Sequence, residues 1–161
     1  MRFSGLIVIA VLAMPGAAAP AHAGPEPASA APAALGKATV IQDMEAVRRL
    51  KSNRGISLQW IWDNPPGRLN VTESDGVIYL DGSQVARRGP GRLAISGNVV
   101  SIGQNTMTFS GRISMYDAPS DRKECLRDGV FHFRITGSRK YWRLQEMEAC
   151  DGLTDYVDIY F

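Results

Sequence analysis

The stretch Val130–Phe161, VFHFRITGSRKYWRLQEMEACDGLTDYVDIYF, decides the fold. Two runs rich in aromatic and β-branched residues, Val130–Thr136 and Tyr141–Met147, flank the polar turn Gly137-Ser138-Arg139-Lys140, and this pattern predicts a hairpin. A third run, Tyr156–Tyr160, follows Asp151-Gly152 and predicts another strand. The chain has two cysteines, Cys125 just before the first of these strands and Cys150 just after the second, so a bond between them staples the hairpin at its open end.

The N-terminus has a different character. Arg2, the apolar run LIVIAVLAM from Leu6 to Met14, the breaker Pro15-Gly16 and the small-x-small Ala21-His22-Ala23 predict a secretory signal peptide over residues 1–23. Its apolar run is shorter than the about 20 residues that a spanning helix needs. No cysteine stands at the cleavage point to carry a lipid. The mature protein is therefore expected to be periplasmic or secreted, without a membrane span. In that compartment Cys125 and Cys150 most simply form a structural disulfide, since a redox or metal-binding pair needs CxxC-like spacing or nearby histidines. Residues 24–37, GPEPASAAPAALGK, offer almost no large apolar side chain and read as a disordered Ala/Pro-rich linker. Residues 38–161 remain as one domain. Without Arg2 the 18 Lys and Arg fall to 17, against 16 Asp and Glu. Such a near-neutral domain lacks the net basic footprint of a nucleic-acid binder.

Within the domain, Val40, Met44, Val47 and Leu50 recur at helical spacing and predict one amphipathic helix over Thr39–Ser52. From Ile56 the period becomes two. Ile56, Leu58, Trp60 and Trp62 share one face of a predicted strand that ends at Asp63-Asn64-Pro65-Pro66-Gly67. Strands follow around Leu69–Thr72 and Val77–Leu80, on either side of the turn Ser74-Asp75-Gly76. Asp81–Gly91 reads as a long turn with a weak strand near Gln84–Ala86. Arg92–Ser96 and Val99–Ile102 read as two strands about Gly97-Asn98, and Thr106–Tyr116 as the longest strand, with Gly111 on its apolar face where a barrel strand bends. Asp117–Arg127 reads as a polar loop. The sum is all-β: a single small antiparallel barrel of about eight or nine short strands, one N-terminal helix and one disulfide. Up-and-down closure suits the short connections and leaves no exposed edge.

The segments RKYWRLQEMEACDGLTDYVDIYF, GVFHFRITG and LKSNRGISLQWIWD are similar to a group of small exported bacterial proteins of uncharacterised function, over most of Leu50–Phe161. The resemblance implies a bacterial envelope or secreted protein. It assigns no activity, cofactor or site residue.

Chemistry-bearing motifs are absent: the sequence has no GxSxG, HExxH, P-loop or GxGxxG, and outside the signal peptide His132 is the one histidine. That weighs against an enzyme, a metal site or a cofactor. The acids Glu146, Glu148, Asp151, Asp155 and Asp158 cluster in sequence, which admits a hydrolase only as a third reading. Basic residues gather at Arg87, Arg88 and Arg92 and again at Arg139, Lys140 and Arg143, two sets that can converge at one barrel mouth. Tyr141, Tyr156 and Tyr160 fall on the alternate faces of their strands, where a half-apolar face lines a pocket or meets a partner. The first functional reading is an exported binding protein for an unidentified small ligand or envelope macromolecule. Its candidate ligand-binding residues are Trp60, Trp62, Arg134, Trp142 and Tyr156, which combine aromatic surface with a positive group near the staple. The alternative is an envelope interaction or inhibitor protein without a pocket, acting through the turns at Arg87 and Arg139. Oligomeric state is not written in the sequence.

Overall fold

Alternating apolar and polar residues in short runs, each ended by a turn, build one antiparallel sheet that curls on itself. The computed structural model describes residues 37–61, 65–117, 124–148, 150 and 152–161. The expected signal peptide, all of the linker but Lys37, and Trp62 lie outside them. The strands are β1 (Val40–Ile41), β2 (Gly55–Leu58), β3 (Arg68–Ser74), β4 (Val77–Val85), β5 (Arg92–Ile102), β6 (Thr106–Tyr116), β7 (Glu124–Arg134), β8 (Tyr141–Leu144) and β9 (Val157–Tyr160). Hydrogen-bonded neighbours run β2-β9-β8-β7-β6-β5-β4-β3, each pair antiparallel. Taken around the ring, β2 to β9 therefore follow chain order, and the architecture is an up-and-down barrel that is nearly closed.

The seam between β2 and β3 is held by one main-chain bridge. Ile56 N–H donates to Gly67 O at 3.2 Å and Gly67 N–H to Ile56 O at 2.7 Å. Beyond that bridge the ladder lapses and a side chain takes over. Gln84, only 2% exposed, accepts from Leu58 N–H through Oε1 at 2.8 Å and donates from Nε2 to Pro65 O at 3.1 Å. Buried main-chain groups need partners, and this amide supplies two.

The interior is filled. Leu58, Leu80, Ile95, Phe109, Ile113, Phe133, Trp142 and Ile159 are all buried in one continuous core, to which Ala46, Val47 and Leu50 of the helix α1 (Met44–Lys51) contribute. The helix covers the end of the barrel where Phe161 packs on Trp142, ring centroids 4.6 Å apart. Asn53 fastens it there, donating to Leu50 O at 2.9 Å and to Leu69 O at 3.1 Å. Gly97 and Gly111 lie opposite each other in β5 and β6, which lets the long strands curve, and the Phe109 ring fills the space above both.

Several local expectations are corrected. The helix starts at Met44 behind the N-cap Asp43, whose side chain accepts from Ala46 N–H at 2.7 Å. Val40 belongs to β1 and is 57% exposed, and Met44 is 59% exposed, so the buried stripe is Ala46, Val47 and Leu50. Thr39 instead plugs a gap: its hydroxyl donates to Val99 O at 2.7 Å and accepts from Ile78 N–H at 2.9 Å, beside a register shift in β5. The strand from Ile56 stops at Leu58, and Gln59–Ile61 wind into a 3-10 turn that buries Ile61 and leaves Trp60 half-buried. β4 runs on to Val85 through the segment read as a loose turn, and β5 is one bent strand rather than two. β7 begins at Glu124, so Cys125 sits in a strand; its disulfide to Cys150, Cα atoms 5.8 Å apart, ties β7 to the segment after β8.

Candidate functional site

Apolar side chains fill the inward positions of the strands, and a group of polar side chains gathers on the outer wall. Alternation puts Tyr141 and Arg143 of β8, Asp158 and Tyr160 of β9, and Ser57 of β2 on that wall. Register then aligns Ser57, Asp158, Arg143 and Arg134 in one row across β2, β9, β8 and β7. Asp158 is only 4% exposed because the guanidinium of Arg143 lies against it, with Nε to Oδ1 at 2.8 Å and Nη2 to Oδ2 at 2.7 Å. These bonds to Asp158 hold the Arg143 guanidinium above its ordinary pKa against the opposing effect of burial.

Tyrosines ring this pair. The Arg143 guanidinium lies 3.9 Å from the Tyr156 ring centroid and 5.1 Å from that of Tyr141, and Tyr141 meets Tyr160 at 5.3 Å. Ser57 Oγ approaches the Tyr160 hydroxyl at 3.5 Å. Ser57, Arg143, Tyr156, Asp158 and Tyr160, together with Leu58, Gln59, Ile61 and Pro66, enclose a groove of about 330 Å³ on the β9–β2 side of the wall, with Tyr141 outside it. It offers ring faces, a fixed cation, a hydroxyl and an amide. The Asp158 carboxylate on its lining is engaged by Arg143.

Of the five residues singled out from sequence, Tyr156 lines this groove and Arg134 stands beside Arg143 in the row. Trp142 is fully buried in the core, its Nε1 without a hydrogen-bond partner among the described residues. Trp60 lies in the 3-10 turn, where its Nε1 donates to Asp155 Oδ1 at 2.9 Å. Trp62 is outside the described residues. Arg143, Asp158, Tyr160, Ser57 and Gln59 were not among the five. Their signal was present as the outward pattern Tyr-x-Arg in β8 and Tyr-x-Asp-x-Tyr from Tyr156 to Tyr160.

The other candidate clusters come apart. Arg92 pairs with Tyr116 at one end of β6 and Arg134 with Thr106 at the other, so the Arg87-Arg88 connection and the Arg139-Lys140 turn sit at opposite ends of the barrel rather than at one mouth. Among the clustered acids, Asp158 pairs with Arg143, Asp155 accepts from Trp60, and Glu146 accepts from the main-chain N–H of His132 at 2.9 Å while its other oxygen meets the ring Nδ1 at 2.7 Å. Asp151 is outside the described residues.

Fold and site thus define a small disulfide-stapled antiparallel barrel with an apolar core and a tyrosine-rich polar groove on its wall. The chain belongs to the PM1083 family, whose model matches residues 38–161. It is similar to the "Uncharacterized protein PM1083" of Pasteurella multocida (strain Pm70), 32% identical over 121 residues that span 70% of this chain and 74% of that protein. No solved structure matches. The disulfide fits an oxidising compartment, and no helix among the described residues is long and apolar enough to cross a membrane.

Proposed function

We propose that this is an exported binding protein, periplasmic or secreted, that holds a polar ligand in the groove around Arg143, Asp158, Tyr156 and Tyr160. The single observation that carries the reading is the Arg143–Asp158 pair under the Tyr156 ring, a rigid charged and aromatic constellation on an outer wall. The core gives a reason to look there, because packed side chains occupy the barrel interior. The signal-peptide pattern over residues 1–23 and the disulfide support export. Pre-organisation supports binding: the pair and its rings are already ordered, so a ligand finds little side-chain entropy left to remove.

The test is native mass spectrometry of the mature protein recovered gently from the envelope or culture fluid of its own cells, beside the Tyr156→Ala variant. The reading expects an added mass on the natural protein that denaturation removes and that the variant lacks. Bare protein in both samples overturns it, and an added mass kept by the variant moves the site elsewhere.

A further inference from the structure

The groove does not end at Pro66. On the far side of that residue the same seam continues as a second, shallower depression of about 350 Å³, lined by Asn53, Arg54, Gly55, Gly67, Arg68 and Leu69. Pro66 borders both. Between them the Gly67 main chain and Pro66 lie directly over Gly55, so close that a Cβ on Gly55 would strike the Gly67 carbonyl. Gly55 also adopts φ +111, a conformation that L side chains rarely take, so the depression is built into the backbone.

The two ends differ in charge. At the first end the arginine is neutralised by Asp158. At the second, Arg54 and Arg68 are exposed; Arg68 has no ion-pair partner among the described residues, and Arg54 Nη2 donates to Phe161 O at 2.6 Å. From Gly55 to Leu58 the trough follows β2 for about 10 Å at the usual rise of an extended chain. An extended peptide that docks by strand addition needs free main-chain groups on a sheet edge. Here those of Ile56 are bonded to Gly67 and the Leu58 N–H is bonded to Gln84. Recognition therefore falls to ring faces, hydroxyl, amide and guanidinium groups, which match the flat faces, hydroxyls and carboxylates of a sugar chain.

We infer that the seam trough is one elongated site that takes a carboxylated oligosaccharide, with sugar faces on Tyr156 and Tyr160 and a carboxylate on Arg54 and Arg68. This rests on the reading of the tyrosine groove as the binding site and extends it by chemical class. The probe is tetragalacturonic acid, with its uncharged methyl ester for comparison, titrated into the ¹⁵N-labelled mature protein and followed by amide NMR. The acid moves the signals of Ser57 and Tyr160 together with those of Gly55 and Gly67, and binds about tenfold more tightly than the ester. Arg68→Gln, which leaves the Arg54 contact with Phe161 intact, removes most of that preference without changing ester binding or the thermal midpoint. Equal affinity for acid and ester, with Gly55 and Gly67 unmoved, confines the site to the tyrosine end: it overturns this inference and leaves the binding reading standing. Signals that move with neither compound overturn the sugar class, while the mass experiment decides the binding reading separately.

Discussion

Arg143 and Asp158 face each other across β8 and β9 and share two parallel hydrogen bonds, 2.8 and 2.7 Å long, with Asp158 almost closed to water and Arg143 half-buried. Removing one partner leaves the other charge poorly solvated. Asp158→Asn is expected to cost about 3 kcal/mol in urea unfolding, the scale for a broken buried pair. A double-mutant cycle with Arg143→Met checks the origin of the loss: the second substitution should restore part of the stability. A single-variant cost below about 1 kcal/mol would place the pair with ordinary surface ion pairs instead.

Gln84 does at the seam what a further pair of ladder bonds does elsewhere. Gln84→Ala strands the Leu58 N–H and the Pro65 carbonyl, both otherwise bonded to it. The expected cost is about 2 kcal/mol. Hydrogen exchange locates the effect, with the Leu58 amide losing protection while amides in β5 and β6 keep theirs relative to global unfolding.

Gly111→Val tests the curvature of the long strands. A Cβ at that position would lie 2.7 Å from Phe109 Cζ and 2.7 Å from Gly97 Cα. Neither neighbour has room to yield, so overpacking of about 3 kcal/mol is expected. The thermal midpoint reads it, and Phe109→Leu in the same chain should recover part of the loss.

Glu146 should contribute to the acid sensitivity of the fold. Burial pushes its carboxyl up, but the hydrogen bonds from the His132 main chain and ring outweigh this, and the net direction is down from the ordinary 4.5. A depressed folded pKa gives stability that is present above the unfolded value and lost as pH falls through the folded one. Thermal midpoints measured from neutral pH to below 4.5 should therefore fall less steeply for Glu146→Gln than for the natural protein, the two curves converging at the acid end.

The barrel was legible in the sequence where one residue's face settled its place. Gly111 falls in phase with Met107, Phe109 and Ile113, and so it reads as a bend inside a strand. Gly97 does not read that way, because Gly-Asn is also a turn dipeptide and only its position opposite Gly111 shows the strand continuing. Trp60 and Trp62 continue the alternation of Ile56 and Leu58, yet pairing stops at Leu58, where the seam passes to the Gln84 side chain far along the chain. The outward residues of the groove could be read off β8 and β9 singly. What brings Ser57, Asp158 and Arg143 into one row is inter-strand register, and no local turn encodes it.

The ring order of β2 to β9 has a temporal side. The strand that completes the circle joins β2 to β9, and the contact of Arg54 with Phe161 spans 107 positions. Every earlier hairpin can form as the chain emerges from a ribosome, but the closing pair waits for the last residues of β9. Until β9 pairs with β2 the sheet is thus held open by its own topology, and only that pairing locks it into a finished wall.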